Sequence, residues 1–182
     1  MEQKDYKFEI VLNLLKHNNH IRGIARDLNT NHMIIQRKMQ DLLKSNIVDF
    51  KEEGRNKVYF LKKTAEAYSY IIMAEQYNLT KILHNYPLLR NIIEKLQKDK
   101  RIKLAILFGS YAKGLAKKDS DIDIYIETED RDIKKEYGIT DSKLSIKTGK
   151  YNKEDNLIKE IEKNHIIIKG IEEYYEKKKF FG

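Results

Sequence analysis

Two neighbouring glycine and serine residues in the second half of the chain have the chemistry of a phosphate site. Gly109-Ser110 follows the apolar run Leu104–Phe108, which predicts a buried strand that ends at the glycine. Glycine lets the backbone approach a ligand closely, and the helix expected next, over about Tyr111–Ala116, would present free N–H groups and its positive dipole end. The pattern predicts that Gly109 and Ser110 contact the phosphate groups of a ligand.

Two aspartates that follow this turn have the spacing of a metal site. Asp121 and Asp123 lie two residues apart in a segment that alternates with isoleucine, which predicts a strand. Side chains alternate across a strand, so both carboxylates point to one face while Ile122, Ile124 and Ile126 fill the core on the other. A bound cation would relieve the repulsion between the two carboxylates, and such hard oxygen ligands suit Mg²⁺ or Mn²⁺.

Taken together, the segment LFGSYAKGLAKKDSDIDIYIE (residues 107–127) resembles the DNA polymerase β-type nucleotidyltransferases, specifically their minimal branch. The resemblance extends over residues 88–170 and implies a small mixed-sheet fold. It implies that Gly109 and Ser110 bind a nucleoside triphosphate, and that Asp121 and Asp123 are catalytic and hold Mg²⁺. Such proteins transfer a nucleotidyl group to a hydroxyl acceptor.

One part of that family pattern is missing. The family takes a third carboxylate from the next strand, where it helps to hold the metal and activates the attacking hydroxyl. Here a polar stretch leads to the next predicted strand, Lys143–Thr148, with Leu144 and Ile146 inward. The side chains left for the metal-facing side are Lys143, Ser145 and Lys147, none of them acidic. Asp141 is the nearest substitute in sequence and Glu136 a more distant one, so catalytic activity is an open question.

The first third of the chain has a different layout, with three short helical patterns followed by two β-like segments. The stretch LNTNHMIIQRKMQDLLKSNIV (residues 28–48) resembles the turn and recognition helix of winged helix-turn-helix DNA-binding domains. Asn46 stands where that family often has glycine, and asparagine is the next-best residue for a left-handed helix end. With Ile35, Met39 and Leu42 inward, polar side chains of types that read base edges face outward. We predict a duplex DNA interface made of Asn31, His32, Gln36, Arg37 and Gln40, with Arg55 and Lys57 at the wing.

The chain is therefore predicted to be an α+β protein with three parts. A winged helix (1–63) is followed by a long connecting helix (64–86) that pairs with its twin in a homodimer, and then by a nucleotidyltransferase-like domain (87–182). Pro87, the only proline, marks the second boundary because it breaks the preceding helix. The net charge of +8 favours an anionic partner such as nucleic acid, although a lysine- and glutamate-rich surface explains it equally. The absence of cysteine, of a signal segment and of a membrane span predicts a cytoplasmic protein.

Three functions fit these features. The first is a DNA-associated, Mg²⁺-dependent nucleotidyltransferase. The alternative is a winged-helix transcriptional regulator whose nucleotidyltransferase-like domain is catalytically degenerate and senses a nucleotide or binds a partner. A third is one half of a toxin–antitoxin pair, because the small transferases that the chain resembles often work with a small helical partner protein.

Overall fold

The computed structural model describes residues 4–138 and 143–181, and these form two units. The N-terminal unit contains the residues up to Tyr77 together with Phe181, and the C-terminal unit runs from Asn78 to Phe180. The division falls inside one long helix, whereas the sequence boundaries at 63/64 and 86/87 bracket that helix; those boundaries remain predictions. No helix in the described ranges is long and apolar enough to cross a membrane.

The N-terminal unit has the winged helix-turn-helix arrangement. Its elements, in chain order, are α1 (Tyr6–Lys16), α2 (Ile21–Asp27), α3 (His32–Lys44), β1 (Val48–Glu53) and β2 (Asn56–Leu61), followed by the long helix α4 (Ala65–Asn85). The two strands form an antiparallel hairpin, and the stretch before α2 adds a short bridge to it through Asn19 and Tyr59. Helix α3 ends at Lys44, and Asn46 then adopts a left-handed conformation at φ 60°, as expected for a residue that replaces glycine after a helix.

The C-terminal unit is a four-stranded mixed sheet with helices. After a 3₁₀ turn at Pro87–Leu89, its elements are α5 (Arg90–Lys98), β3 (Ala105–Phe108), α6 (Gly109–Ala112), β4 (Ile122–Glu127), α7 (Arg131–Gly138), β5 (Leu144–Gly149), α8 (Asn156–Lys163), β6 (Ile166–Lys169) and α9 (Ile171–Lys177). The strand order is β5-β4-β3-β6, with β4 and β5 parallel and the other two pairs antiparallel. The predicted mixed sheet is therefore confirmed.

The main hydrophobic core of this unit lies on one face of the sheet. Ile122, Ile124 and Ile126 of β4 all belong to it, which confirms the alternation expected from the sequence. Residues of α5 and α7 complete this core and hold the sheet from that side. The opposite face of β4 is thereby left to Asp123, Tyr125 and Glu127.

Two elements differ from the sequence prediction. The polar stretch before β5 contains a helix, α7, which buries Ile133 and Tyr137 at a spacing of four residues. The helix predicted over about Tyr111–Ala116 is instead the single turn α6, which begins at Gly109. It ends early because Gly114 takes a left-handed conformation at φ 69°, a frequent way of ending a helix.

Candidate nucleotide site and candidate DNA interface

The turn between β3 and α6 brings Gly109 against Asp123. In the antiparallel pairing of β3 with β4, Phe108 is the register partner of Asp123, so Gly109 begins its turn beside that aspartate. Gly109 has φ 69°, and a Cβ built on it would lie 2.3 Å from Oδ2 of Asp123. The position therefore needs glycine for two reasons, because its backbone is left-handed and because the carboxylate fills the space of a side chain.

Ser110 and Asp121 lie next to this contact. Ser110 is the second residue of α6 and is half-buried, whereas Asp121 directly precedes β4 and is exposed. Asp121 is close enough for its charge to act on Asp123. Because α6 is only one turn long, its dipole attracts an anion less than the longer helix expected from the sequence would. Anion binding here would depend mainly on free N–H groups and on a cation held by the carboxylates.

Several opposing effects act on the Asp123 carboxyl. Burial is the largest and raises its pKa above the usual range, and the negative charges of Asp121 and Glu160 act in the same direction. A hydrogen-bonding contribution from the Ser145 hydroxyl and the positive charge of Lys147 lower the pKa. A divalent cation would stabilise the ionised form further, so these carboxylates fit Mg²⁺ or Mn²⁺ in the type and number of oxygen ligands that they offer.

On the strand β5, the residue aligned with Asp123 is a serine. In the parallel pairing of β4 with β5, Ser145 is the register partner of Asp123, and Leu144 and Ile146 are buried on the core side. Across the described ranges, no three histidine or acidic side chains form a cluster able to hold a metal ion. Asp141, the substitute considered from the sequence, lies outside the described residues.

Glu160 is an acidic residue near the site that sequence reasoning missed. It lies on α8, and its Oε1 is 3.4 Å from Nζ of Lys113, which follows α6 directly. Its charge also acts on Asp123. The sequence offered no sign of this contact, because it depends on how α8 docks fifty residues after Ser110. Glu136, the other acid considered from the sequence, instead pairs with Arg101 at 2.8 Å.

The segment that contains this candidate site matches a known protein family. Residues 90–174 match the family model described as Polymerase beta, Nucleotidyltransferase. This segment is a nucleotidyltransferase-like domain. The matched range contains the Gly109-Ser110 turn, both aspartates and the strand β5. No curated protein matches the chain.

In the winged-helix unit, the predicted DNA-contacting residues all lie on the surface. His32, Gln36, Arg37 and Gln40 are exposed along α3, opposite the buried Ile35, Met39 and Leu42. Asn31 precedes α3 and is also exposed, but its Oδ1 accepts a hydrogen bond from the Met33 N–H at 2.8 Å as the helix cap. Its side chain therefore already has a structural role, and its amide N–H₂ group is left to contact a base.

The wing residues differ in their surroundings. Arg55 is exposed in the two-residue turn of the hairpin, next to Gly54 at φ 62°. Lys57 is also exposed, and its ammonium lies 4.1 Å from the centre of the Phe50 ring. This contact holds the lysine against the hairpin and leaves its charge at the surface.

Sequence reasoning missed two arginines beside α3. An open hollow of about 380 Å³ lies where α2 meets the start of α3, and its lining residues are Arg22, Ala25, Arg26, Thr30, Asn31 and His32. Arg22 and Arg26 are one helical turn apart and both exposed, so they extend the basic surface from α3 to α2. Their spacing of four residues in the sequence was the signal that could have placed both arginines on one face of α2.

Searches of solved structures returned matches to the N-terminal half of the chain at low similarity. They include the adhesin competence repressor of Streptococcus pyogenes, at 14% identity and TM-score 0.41 over 50% of this chain and 68% of that chain. ZitR of Lactococcus lactis has 14% identity and TM-score 0.39 over 50% of this chain and 62% of its own. A homodimeric winged helix-turn-helix DNA-binding domain from Mycobacterium bovis, a possible ArsR-family transcriptional regulator, has 17% identity and TM-score 0.33 over 47% and 74%.

Proposed function

We propose that this chain is a winged-helix DNA-binding regulator whose nucleotidyltransferase-like domain binds a nucleoside triphosphate with Mg²⁺ and senses it without transferring the nucleotidyl group. The observation that carries the proposal is the position of Ser145. It is the register partner of Asp123 on β5, the strand from which the resemblance takes the carboxylate that activates the acceptor hydroxyl. A serine hydroxyl does not accept that proton at neutral pH, so over the described residues the site keeps its binding groups and has no general base aligned with Asp123.

The binding half of this proposal depends on three features of the chain. Gly109 and Ser110 would contact the phosphates through backbone N–H groups and the serine hydroxyl. Asp121 and Asp123 would hold the cation, which when bound neutralises the charge of the triphosphate. Asp123 is half-buried, and the lower dielectric of its surroundings strengthens that attraction.

The DNA half of the proposal places α3 in the major groove. Gln36, Arg37 and Gln40 would reach base edges, while Arg55 and Lys57 contact the backbone phosphates from the wing. Arg22 and Arg26 would add phosphate contacts from α2, which sequence reasoning did not include. A homodimer formed through α4 would match a two-fold DNA site. Analytical ultracentrifugation with and without duplex tests for this dimer.

A second candidate, the active transferase, is favoured by one specific observation. The close contact between Gly109 and Asp123 keeps the phosphate turn and the metal-facing strand together, as nucleotidyl transfer requires. In that reaction the acceptor oxygen would form a bond to the α-phosphorus, and the bond from that phosphorus to pyrophosphate would break. A proton acceptor other than Ser145 would then be needed.

One set of measurements separates the two candidates. Purified protein is titrated with Mg²⁺ and each of the four ribonucleoside triphosphates by calorimetry, alongside a variant with Asp121→Asn and Asp123→Asn. The same samples are incubated with α-³²P-labelled triphosphates, random-sequence duplexes and the protein itself as acceptors. Binding that the double variant loses, without transfer of label, supports the regulator; metal-dependent transfer of label supports the enzyme.

Sensing of the nucleotide is tested by its effect on the affinity of the protein for DNA. Duplexes selected from a random pool at low salt are bound in the presence and absence of the best-binding triphosphate. The proposal expects the triphosphate to change the DNA dissociation constant at least several-fold, because a sensor must bind its ligand differently in two states. An unchanged dissociation constant at saturating nucleotide, with both ligands bound, would argue against sensing. The small helical partner and the cytoplasmic location remain predictions.

A further inference from the structure

The strand next to the paired aspartates carries a lysine on the metal-facing side. Because β4 and β5 run parallel and in register, Asp123 is aligned with Ser145 and Tyr125 with Lys147. Ser145 and Lys147 are two residues apart, so they share the face of β5 that lies beside Asp123. Ser145 is half-buried and Lys147 is exposed, and the positive charge of Lys147 acts on Asp123.

These two side chains already do part of what a cation would do. Both stabilise the ionised form of Asp123, whereas burial and the charge of Asp121 oppose it. A second divalent cation would have to sit close to Lys147, and the two positive charges would repel each other in a poorly solvated cleft. Metal pairs in proteins lie about 3.5–4 Å apart and need carboxylates that offset this repulsion.

Among the described residues, Glu160 is a further acid whose charge acts on Asp123, and it does not supply that carboxylate. Glu160 is held by Lys113 at 3.4 Å, and over the described residues no group of three acidic or histidine side chains could hold a metal. The two carboxylates that the described residues offer, Asp121 and Asp123, therefore suit one divalent cation better than two.

We propose that Lys147 takes the electrostatic place of a second metal ion, so that the site binds a nucleoside triphosphate together with a single divalent cation. This inference rests on the proposed binding of a metal–nucleotide complex. It assigns a role to Lys147 that neither the motif nor the family match assigns. It also explains why an exposed lysine stands on the strand where the resemblance places an acid.

The test counts bound metal ions. Wild-type protein is saturated with Mn²⁺ and a triphosphate analogue whose α,β-bridging oxygen is a methylene group, which prevents transfer. Equilibrium dialysis with electron paramagnetic resonance then gives the number of bound Mn²⁺ ions per bound nucleotide. The expected ratio is one for the wild type and two for Lys147→Glu, because the variant removes the ammonium and adds a carboxylate at the same place.

Control variants separate this effect from overall charge and from misfolding. Lys163→Glu makes the same charge change at the exposed end of α8 and is expected to keep a ratio of one. Lys147→Gln makes a milder change at an exposed position, and we expect the Mn²⁺ dissociation constant of the nucleotide complex to fall at least threefold at low salt. Circular dichroism confirms that each variant is folded.

The outcomes are distinct. Two Mn²⁺ ions per nucleotide in the wild type would overturn the role of Lys147. The same holds if the wild type and Lys147→Gln bind Mn²⁺ with equal affinity and Lys147→Glu still binds one ion per nucleotide. Either result leaves the proposed nucleotide binding intact. Wild-type protein that retains neither Mn²⁺ nor nucleotide overturns the proposed function, and this inference with it.

Discussion

Replacing Gly109 by alanine tests the geometry of the candidate site without removing any of its charged groups. The new Cβ would lie 2.3 Å from Oδ2 of Asp123, and 3.1 Å and 3.3 Å from its Cγ and Cβ. Rotation of the carboxylate can relieve the first contact, but the other two require a shift of the strand or of the turn. Overpacking of this kind costs about 1–3 kcal/mol. The left-handed backbone at φ 69° adds about 1–2 kcal/mol for any residue with a Cβ.

Gly114 provides a matched control, because it has the same φ of 69° but a Cβ built there meets nothing within 4 Å. Gly114→Ala should lose only the backbone contribution, about 1–2 kcal/mol of unfolding free energy. Gly109→Ala should lose about 1–3 kcal/mol more than the control, from its packing conflict with Asp123.

The assay combines urea unfolding, followed by circular dichroism, with calorimetric titration of Mn²⁺ and triphosphate. Gly109→Ala is expected to bind the metal–nucleotide complex at least tenfold more weakly than the wild type, because its carboxylate is displaced. Gly114→Ala should bind within about twofold of the wild type. Equal stability of the two variants together with wild-type binding by Gly109→Ala would refute the contact on which the site depends.

Three further predictions concern the interface, the acid stability and the core. Arg37→Ala should weaken duplex binding in gel-shift assays, and unchanged binding would contradict any contact with DNA. If the arginine contacts a phosphate, the slope of log K against log salt concentration should fall by about one. If it contacts a base, the variant should instead lose sequence preference. Hydrogen bonds from Arg101 hold the pKa of Asp99 well below its usual range, so this carboxylate stabilises the fold at neutral pH and loses that effect as the pH falls below about 4. Asp99→Asn should therefore make unfolding midpoints less dependent on pH between about 4 and 2, and an unaltered dependence would count against the pairing. Ile124→Ala, at a position with 0% exposure, should lower the unfolding free energy by about 2–5 kcal/mol in urea titrations, and a loss below 1 kcal/mol would be inconsistent with its packing.

Local patterns were sufficient for several elements of the fold. The alternation of Ile122, Ile124 and Ile126 predicted the buried face of β4, because a period of two residues leaves no other arrangement for a half-buried strand. The inward positions of α3 followed from helical spacing in the same way. The left-handed Asn46 followed from the end of a helical pattern before a strand.

Other elements needed long-range information. Helix α7 was missed because its segment is short and highly charged, and its two buried residues, Ile133 and Tyr137, give a weak periodic pattern. The length of α6 was overestimated because Gly114 ends the helix by adopting a left-handed conformation. The presence of a glycine in the sequence does not by itself predict whether its φ will be positive or negative.

For the candidate site, the sequence by itself determined which residues are chemically capable: a glycine–serine turn, two aspartates on one side of a strand, and no acid on the strand that follows. Only the tertiary structure decided that Gly109 contacts Asp123, that Ser145 rather than Lys143 or Lys147 is aligned with that aspartate, and that Glu160 lies nearby. The physical reason is that strand register and helix docking are set by packing between segments far apart in the chain. Residue types and local periodicity specify the face of each element, but not its neighbour.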